Sequence, residues 1–200
     1  MSETSKSSVF ITAFEGDRCI ASGDLYHVVS ATKTVVNRRS SLPVLIFDNA
    51  TSEQVEIDFR GSLQEVLNRL PAKVPAPEPV EEEPRGRGRP KLGVTAREVT
   101  LLPRHWEWLG TQPGGASVAL RKLVEKARTA NEGRDRVRRA QEVCYKFMSA
   151  MAGDKPGFEE ASRALFAGKA AAFDQIVAAW PEGVRDHVRK LAAGAWEGQG

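Results

Sequence analysis

Cysteine is nearly absent from this chain, which contains only Cys19 and Cys144. They stand in no CxxC or Cys/His spacing, so neither a disulfide framework nor a zinc motif is spelled out. Histidine is as scarce: His27, His105 and His187 have no second ligand or base at a meaningful spacing. Neither a P-loop nor a dinucleotide glycine motif occurs, because Gly86-Arg87-Gly88 lacks the strand-to-helix context such a loop needs. Glu159 and Glu160 are adjacent, hence about 100° apart on a helix, and do not converge as an acid/base pair. Asp48, Glu56 and Asp58 are the one set of carboxylates that a small sheet could gather, and such residues ordinarily serve solubility. These absences argue against catalysis; no enzyme activity, cofactor or metal is expected. Long apolar runs are missing too, and MSETSKSSVF carries no basic patch followed by an apolar stretch. No membrane span, membrane partner or secretory signal is expected, and the expected location is the cytoplasm.

What the chain does carry is a hidden asymmetry of charge. Its 200 residues have a net charge of +3. Residues 85 to 139 hold 14 basic and 5 acidic side chains, a net of +9, and the remainder holds 15 basic and 21 acidic, a net of −6. A basic block on an otherwise acidic chain is the footprint of contact with nucleic acid or another anionic surface, since neutralised phosphates release counterions. A charged linker beside a solvated helix face is the alternative.

Patterning predicts an α+β N-terminal module (ββαββα) over 8–70, a disordered linker over 71–93 and a mainly α, basic C-terminal domain over 94–200. In the module, Val9, Ile11 and Ala13 alternate with outward positions, and Glu15-Gly16-Asp17 turns the chain into a second strand. Asp24 caps a helix whose apolar stripe includes Leu25, Val28, Val29, Thr32, Val35 and Val36. Pro43–Phe47 forms a strand, Val55, Ile57 and Phe59 alternate in a returning one, and Ser62 with Glu65 makes a capping box. The linker has 23 residues, six of them proline, and no periodicity. Beyond it, helical stripes run through Val137–Met151, Phe158–Phe166, Phe173–Trp180 and Val184–Ala195.

Pro84-Arg85-Gly86-Arg87-Gly88-Arg89-Pro90-Lys91 resembles an AT-hook, a minor-groove DNA-binding element whose core is Arg-Gly-Arg-Pro. The physical case follows residue by residue. Gly88 has no Cβ, so its backbone fits the floor of a narrow groove. The minor groove over A·T runs is narrow and strongly negative and favours inserted guanidinium groups, here Arg87 and Arg89. Pro90 keeps the segment extended, while Arg85 and Lys91 neutralise phosphates. Contact with RNA and a spacer without a partner are the alternatives.

Residues 97 to 128 resemble, in order of elements, the ribbon-helix-helix DNA-binding proteins: a β-like run (Glu98–Leu102), a short helix, the turn at Pro113-Gly114-Gly115, and a second helix. That resemblance implies a homodimer with paired strands in the major groove. Arg97 lies on the strand, Ser117 at the helix start where N–H groups can hold a phosphate, and Arg121 and Lys122 add charge one turn later. The strand phase is irregular, because facing Leu102 to the core turns Thr100 and Glu98 inward as well. Either the register shifts, or the segment simply opens an all-helical domain; the base-reading residues are unassigned. Trp106 is expected in the core and Trp108 at an exposed or interface position.

The stretches LIFDNATSEQVEIDFRG, GRPKLGVTAREVTLLPRHWEWL, QPGGASVALRKLVEKAR and FMSAMAGDKPGFEEASRALFAG resemble a bacterial family known only as a domain of unknown function. The resemblance covers most of residues 8 to 195 and implies a bacterial protein, with no activity attached. Together these readings lead to a DNA-binding protein that prefers A·T-rich duplexes, located at the nucleoid as a transcriptional regulator or nucleoid-associated protein. The rival is an adaptor whose helical domain binds another protein.

Overall fold

A computed structural model describes residues 10–38, 41–70, 95 and 97–196. In chain order these form β1 (Phe10–Glu15), β2 (Arg18–Asp24), α1 (Leu25–Asn37), β3 (Val44–Asp48), α2 (Leu63–Arg69), α3 (Pro103–Gly110), α4 (Gly115–Met151), α5 (Phe158–Phe166), α6 (Ala170–Val177) and α7 (Glu182–Ala192). The described residues divide into two compact units. The first takes those up to Leu70 together with those from Gly133 onward; the second takes those between, up to Glu132.

In the first unit a three-stranded antiparallel sheet has the order β2-β1-β3. The β1–β2 hairpin pairs Phe10 with Asp24 and Glu15 with Arg18, with a bulge between Ala13 and Phe14. Central β1 is buried on both faces, since Ile11, Thr12, Ala13 and Phe14 are all solvent-inaccessible. Ile11 and Ala13 join Val28 and Ile46 in a small core beneath α1. Phe14 and Phe47 belong to the main core, with Cys144, Phe147, Met148, Phe173, Val177, Val184 and Val188 from the C-terminal helices.

This arrangement corrects the expected division at 8–70, 71–93 and 94–200. The alternating positions read as outward include Phe14, whose aromatic face the N-terminal segment cannot cover by itself. The C-terminal helices cover it, so sequence segments far apart share one core. The expected linker, 71–93, lies outside the described residues.

Local capping follows the sequence. Asp24 Oδ1 accepts from the backbone N–H of Tyr26 and of His27, each at 3.1 Å, and starts α1. Ser62 and Glu65 form the reciprocal capping box of α2. The expected returning strand does not form as a strand. One bridge, Phe47 with Gln54, is followed by an irregular run in which Val55, Ile57 and Phe59 still pack on the small core. Side chains, not a ladder, satisfy its carbonyls: Lys33 Nζ donates to Phe59 O at 2.7 Å, and Arg69 donates to the carbonyls of Asp58 (3.0 Å) and Arg60.

The helices of the first unit reach the sheet by close approach. A Cβ at Gly183 in the first turn of α7 would lie 2.6 Å from Cys19 N and 2.7 Å from Asp17 O, so only glycine lets α7 rest on the hairpin turn. Gly157 (φ +78°) precedes α5, and a Cβ there would meet Ile176 Cγ2 at 2.7 Å. Trp180 Nε1 donates to Pro156 O at 2.9 Å and ties the α6 end to the turn before α5.

In the second unit, residues 97–102 carry no strand and lead into α3, with Pro103 at its start. The β-like run therefore has no strand partner among the described residues. Trp106 is exposed, as is Trp108, and the buried side chain of α3 is Leu109. This corrects the core placement of Trp106: a helix packed on only one side buries one narrow stripe, and Leu109 occupies it.

Candidate functional site

Of the residues expected to contact DNA, Arg85, Arg87, Gly88, Arg89, Pro90 and Lys91 lie outside the described residues. Arg97 stands exposed on the extended segment before α3. Ser117, Arg121 and Lys122 are exposed near the beginning of α4. Because α4 begins at Gly115, Ser117 lies within its first turn and is not the residue ahead of it. Arg121, Lys122 and Lys126 form no ion pair among the described residues, whereas Arg128 is held by Glu125 at 2.8 Å. Lys122 and Lys126, four apart, share one face of the helix.

The first unit builds a second set of polar side chains that periodicity did not bring together. Two clefts flank α7. One, of about 610 Å³, opens between α7 and the β1–β2 hairpin and is lined by Thr12, Cys19, Ser22, Asp186, His187 and Lys190 among others. The other, of about 310 Å³, lies between α4, α7 and the turn after β3, and is lined by Asn49, Arg136, Arg139, His187, Lys190 and Leu191 among others. His187 and Lys190 line both.

His187 is buried where the two clefts meet. Its ring packs edge-on against Phe147 (centroids 4.5 Å apart) and Phe14 (5.5 Å). Burial, with a smaller contribution from the Lys190 charge, pushes its pKa down to about 4, so the imidazole is neutral at pH 7. Its Nε2 is buried without a hydrogen-bond partner in the structure. Nearby, the Thr12 hydroxyl donates to Asn49 Oδ1 at 2.7 Å. Its single proton thus committed, it accepts from the Ser22 hydroxyl at 2.8 Å.

Burial raises the Cys19 thiol above its ordinary pKa against the opposing pull of Lys190 and Arg18, so it stays protonated and a poor nucleophile at neutral pH. Burial pushes Cys144 up to about 12 inside the main core. Asp48 caps the turn after β3 by accepting from Ala50 N and Thr51 N, and Asp58 pairs with Arg60 and Arg69. Among the described residues, no three His, Cys, Asp or Glu side chains gather as a metal site would require. No helix among them is long and apolar enough to cross a membrane.

Sequence reasoning counted Arg136 and Arg139 within the basic block but assigned them no partner. It treated His187 as a solitary histidine. The missing signal is tertiary: Asn49, Arg139 and Lys190 meet only because α4 and α7 both pack against the sheet. No curated protein and no solved structure matches the chain. The family described as "Uncharacterized protein conserved in bacteria (DUF2239)" matches residues 10–192, nearly the whole chain, and the protein belongs to that family.

Proposed function

We propose that the protein binds A·T-rich DNA, inserting Arg87 and Arg89 of the Arg-Gly-Arg-Pro core into the minor groove, and serves as a transcriptional regulator or nucleoid-associated protein. The observation that carries this reading is the net +9 concentrated in residues 85 to 139 around that core, against −6 elsewhere. The exposed Arg121, Lys122 and Lys126 support it as further phosphate contacts. Its action is binding, not chemistry, in keeping with a protonated Cys19 and a neutral His187.

The reading includes pairing of two copies through the second unit, as a ribbon-helix-helix arrangement requires. Val99, Leu102, Trp106, Trp108, Leu123 and Val124 leave apolar surface exposed there, and burying it between copies removes that surface from water. The same surface favours the adaptor reading, in which another protein covers it and DNA has no part.

Fluorescence anisotropy with A·T-rich and G·C-rich duplexes across a salt series separates the two. The expected result is affinity whose logarithm falls linearly with log salt, prefers A·T, and is lost in Arg87→Ala/Arg89→Ala. No measurable binding at low salt overturns the DNA reading in favour of the adaptor.

A further inference from the structure

We propose that the cleft between α4, α7 and the turn after β3 binds a phosphoryl group, held by Arg136, Arg139 and Lys190, with the Asn49 side-chain amide as a neutral donor. The site lies within the first unit and stands whether or not the hook binds DNA.

Three observations converge on it. First, two helices direct cations to one cleft: Arg136 and Arg139, three apart and therefore neighbours on α4, and Lys190 on α7. No carboxylate lines that cleft among the described residues. Asp186, on α7 itself, is engaged by Arg185, and Asp174 on α6 by Arg189. Arg139 and Lys190 form no ion pair with any described residue. Arg139 and Lys190 thus bring two like charges to one cleft, and an anion between them offsets their mutual repulsion.

Second, the neutral donor is set by the network behind it. Asn49 Oδ1 already accepts the Thr12 proton, and Ser22 fixes Thr12 from the other side. The amide of Asn49 is thereby turned so that its NH₂ is the group left to donate. A donor without a competing acceptor suits an oxyanion and does not suit a cation.

Third, the cleft has a neutral, apolar side as well as a charged rim. Val143 and Leu191 line it, and His187 adds a buried imidazole with an unpartnered Nε2. A volume of about 310 Å³ accommodates a phosphoryl group carrying a small apolar or ring portion. Two guanidinium groups match phosphate oxygens with paired N–H donors, and an ammonium adds a third charge, so a dianionic phosphoryl group fits better than a single carboxylate.

The phosphoryl group has two sources, a free phosphorylated small molecule or the backbone of DNA. Both are tested on the full-length protein by recording the Asn49 side-chain amide and His187 ring signals by NMR. Inorganic pyrophosphate and a short G·C-rich duplex are titrated separately at constant ionic strength. The expected result is a saturable shift of both signals with at least one of the two probes. Affinity falls about tenfold or more in Arg139→Gln/Lys190→Gln, as expected for the loss of charge-assisted contacts. The pyrophosphate affinity is unchanged in Arg163→Gln, an exposed arginine of α5 outside the cleft, and in Arg87→Ala/Arg89→Ala. A response to pyrophosphate but not to the duplex assigns a small-molecule ligand; a response to the duplex assigns the DNA backbone. Absence of a saturable shift with both probes, or an equal response in Arg139→Gln/Lys190→Gln, overturns the proposal. The spectrum of that double variant reports separately that its fold is intact.

Discussion

The rings of Phe14 and Phe147 lie 5.4 Å apart, one from the first strand of the chain and the other from α4. Phe47 completes the cluster at 5.0 Å from Phe147 and 6.2 Å from Phe14. Sheet and helices therefore stabilise each other through one aromatic contact set. Phe147→Ala is expected to destabilise the first unit by about 3–5 kcal/mol, as for other buried aromatic truncations. Chemical denaturation followed by Trp180 and Trp196 fluorescence measures it. A fragment ending at Leu70 is expected to show no cooperative unfolding transition; a cooperative one would mean that the sheet does not need the helices.

The neutral state of His187 makes stability depend on pH. Its folded pKa is about 4 and its unfolded value near 6.5. Between those values the unfolded chain binds the proton and the folded one does not, so stability falls as pH drops through that window. The full loss is on the order of 3 kcal/mol, from about 1.36 kcal/mol per unit of pKa difference. Thermal melts of the wild type and His187→Gln between pH 7 and pH 4 are expected to differ in slope, with the variant flatter. Equal slopes would place the acid sensitivity in the carboxylates alone.

Lys33 is buried on α1 with its ammonium on the Phe59 carbonyl. Lys33→Met keeps the stem and removes the donor, so the carbonyl loses a charge-assisted hydrogen bond worth about 1.5–3 kcal/mol. Amide exchange is expected to accelerate at Val55, Ile57 and Phe59 more than in β1. Uniform acceleration across the first unit would show that Lys33 supports the whole core and not that segment.

Gly183→Ala sets two effects against each other. Alanine favours the helix by about 0.8–1 kcal/mol. Its methyl group, however, meets the backbone of Asp17 and Cys19 at less than van der Waals distance, and overpacking costs about 1–3 kcal/mol. The net expectation is a lower melting temperature and faster labelling of Cys19 by a thiol reagent, as α7 moves off the hairpin. A raised melting temperature would indicate that the hairpin turn yields without cost.

Much of the local structure was legible in the residues. Asp24 and the Ser62/Glu65 pair announced their helices because a cap depends on neighbours two or three positions away. The stripes through Cys144, Phe147 and Met148, and through Val184 and Val188, identified the buried faces of α4 and α7. Features that depend on distant partners were not legible. Phe14 sits at an alternating position that reads as outward until helices from the other end of the chain cover it. Val55, Ile57 and Phe59 have strand periodicity, but Lys33 and Arg69 take the carbonyls a ladder would need. The cleft at Asn49, Arg139 and Lys190 is likewise a product of packing, since no spacing along the chain relates these three.

The shared core also sets an order of events during synthesis. The sheet is complete by Asp48, yet residues from Gly133 onward cover its second face. At about 5–20 residues per second, the ribosome needs roughly 6–25 s to pass from Leu70 to the end of the helices. Throughout that interval Phe14 and Phe47 lack their native cover, so the nascent chain presents a hydrophobic surface to chaperones before it can fold around it.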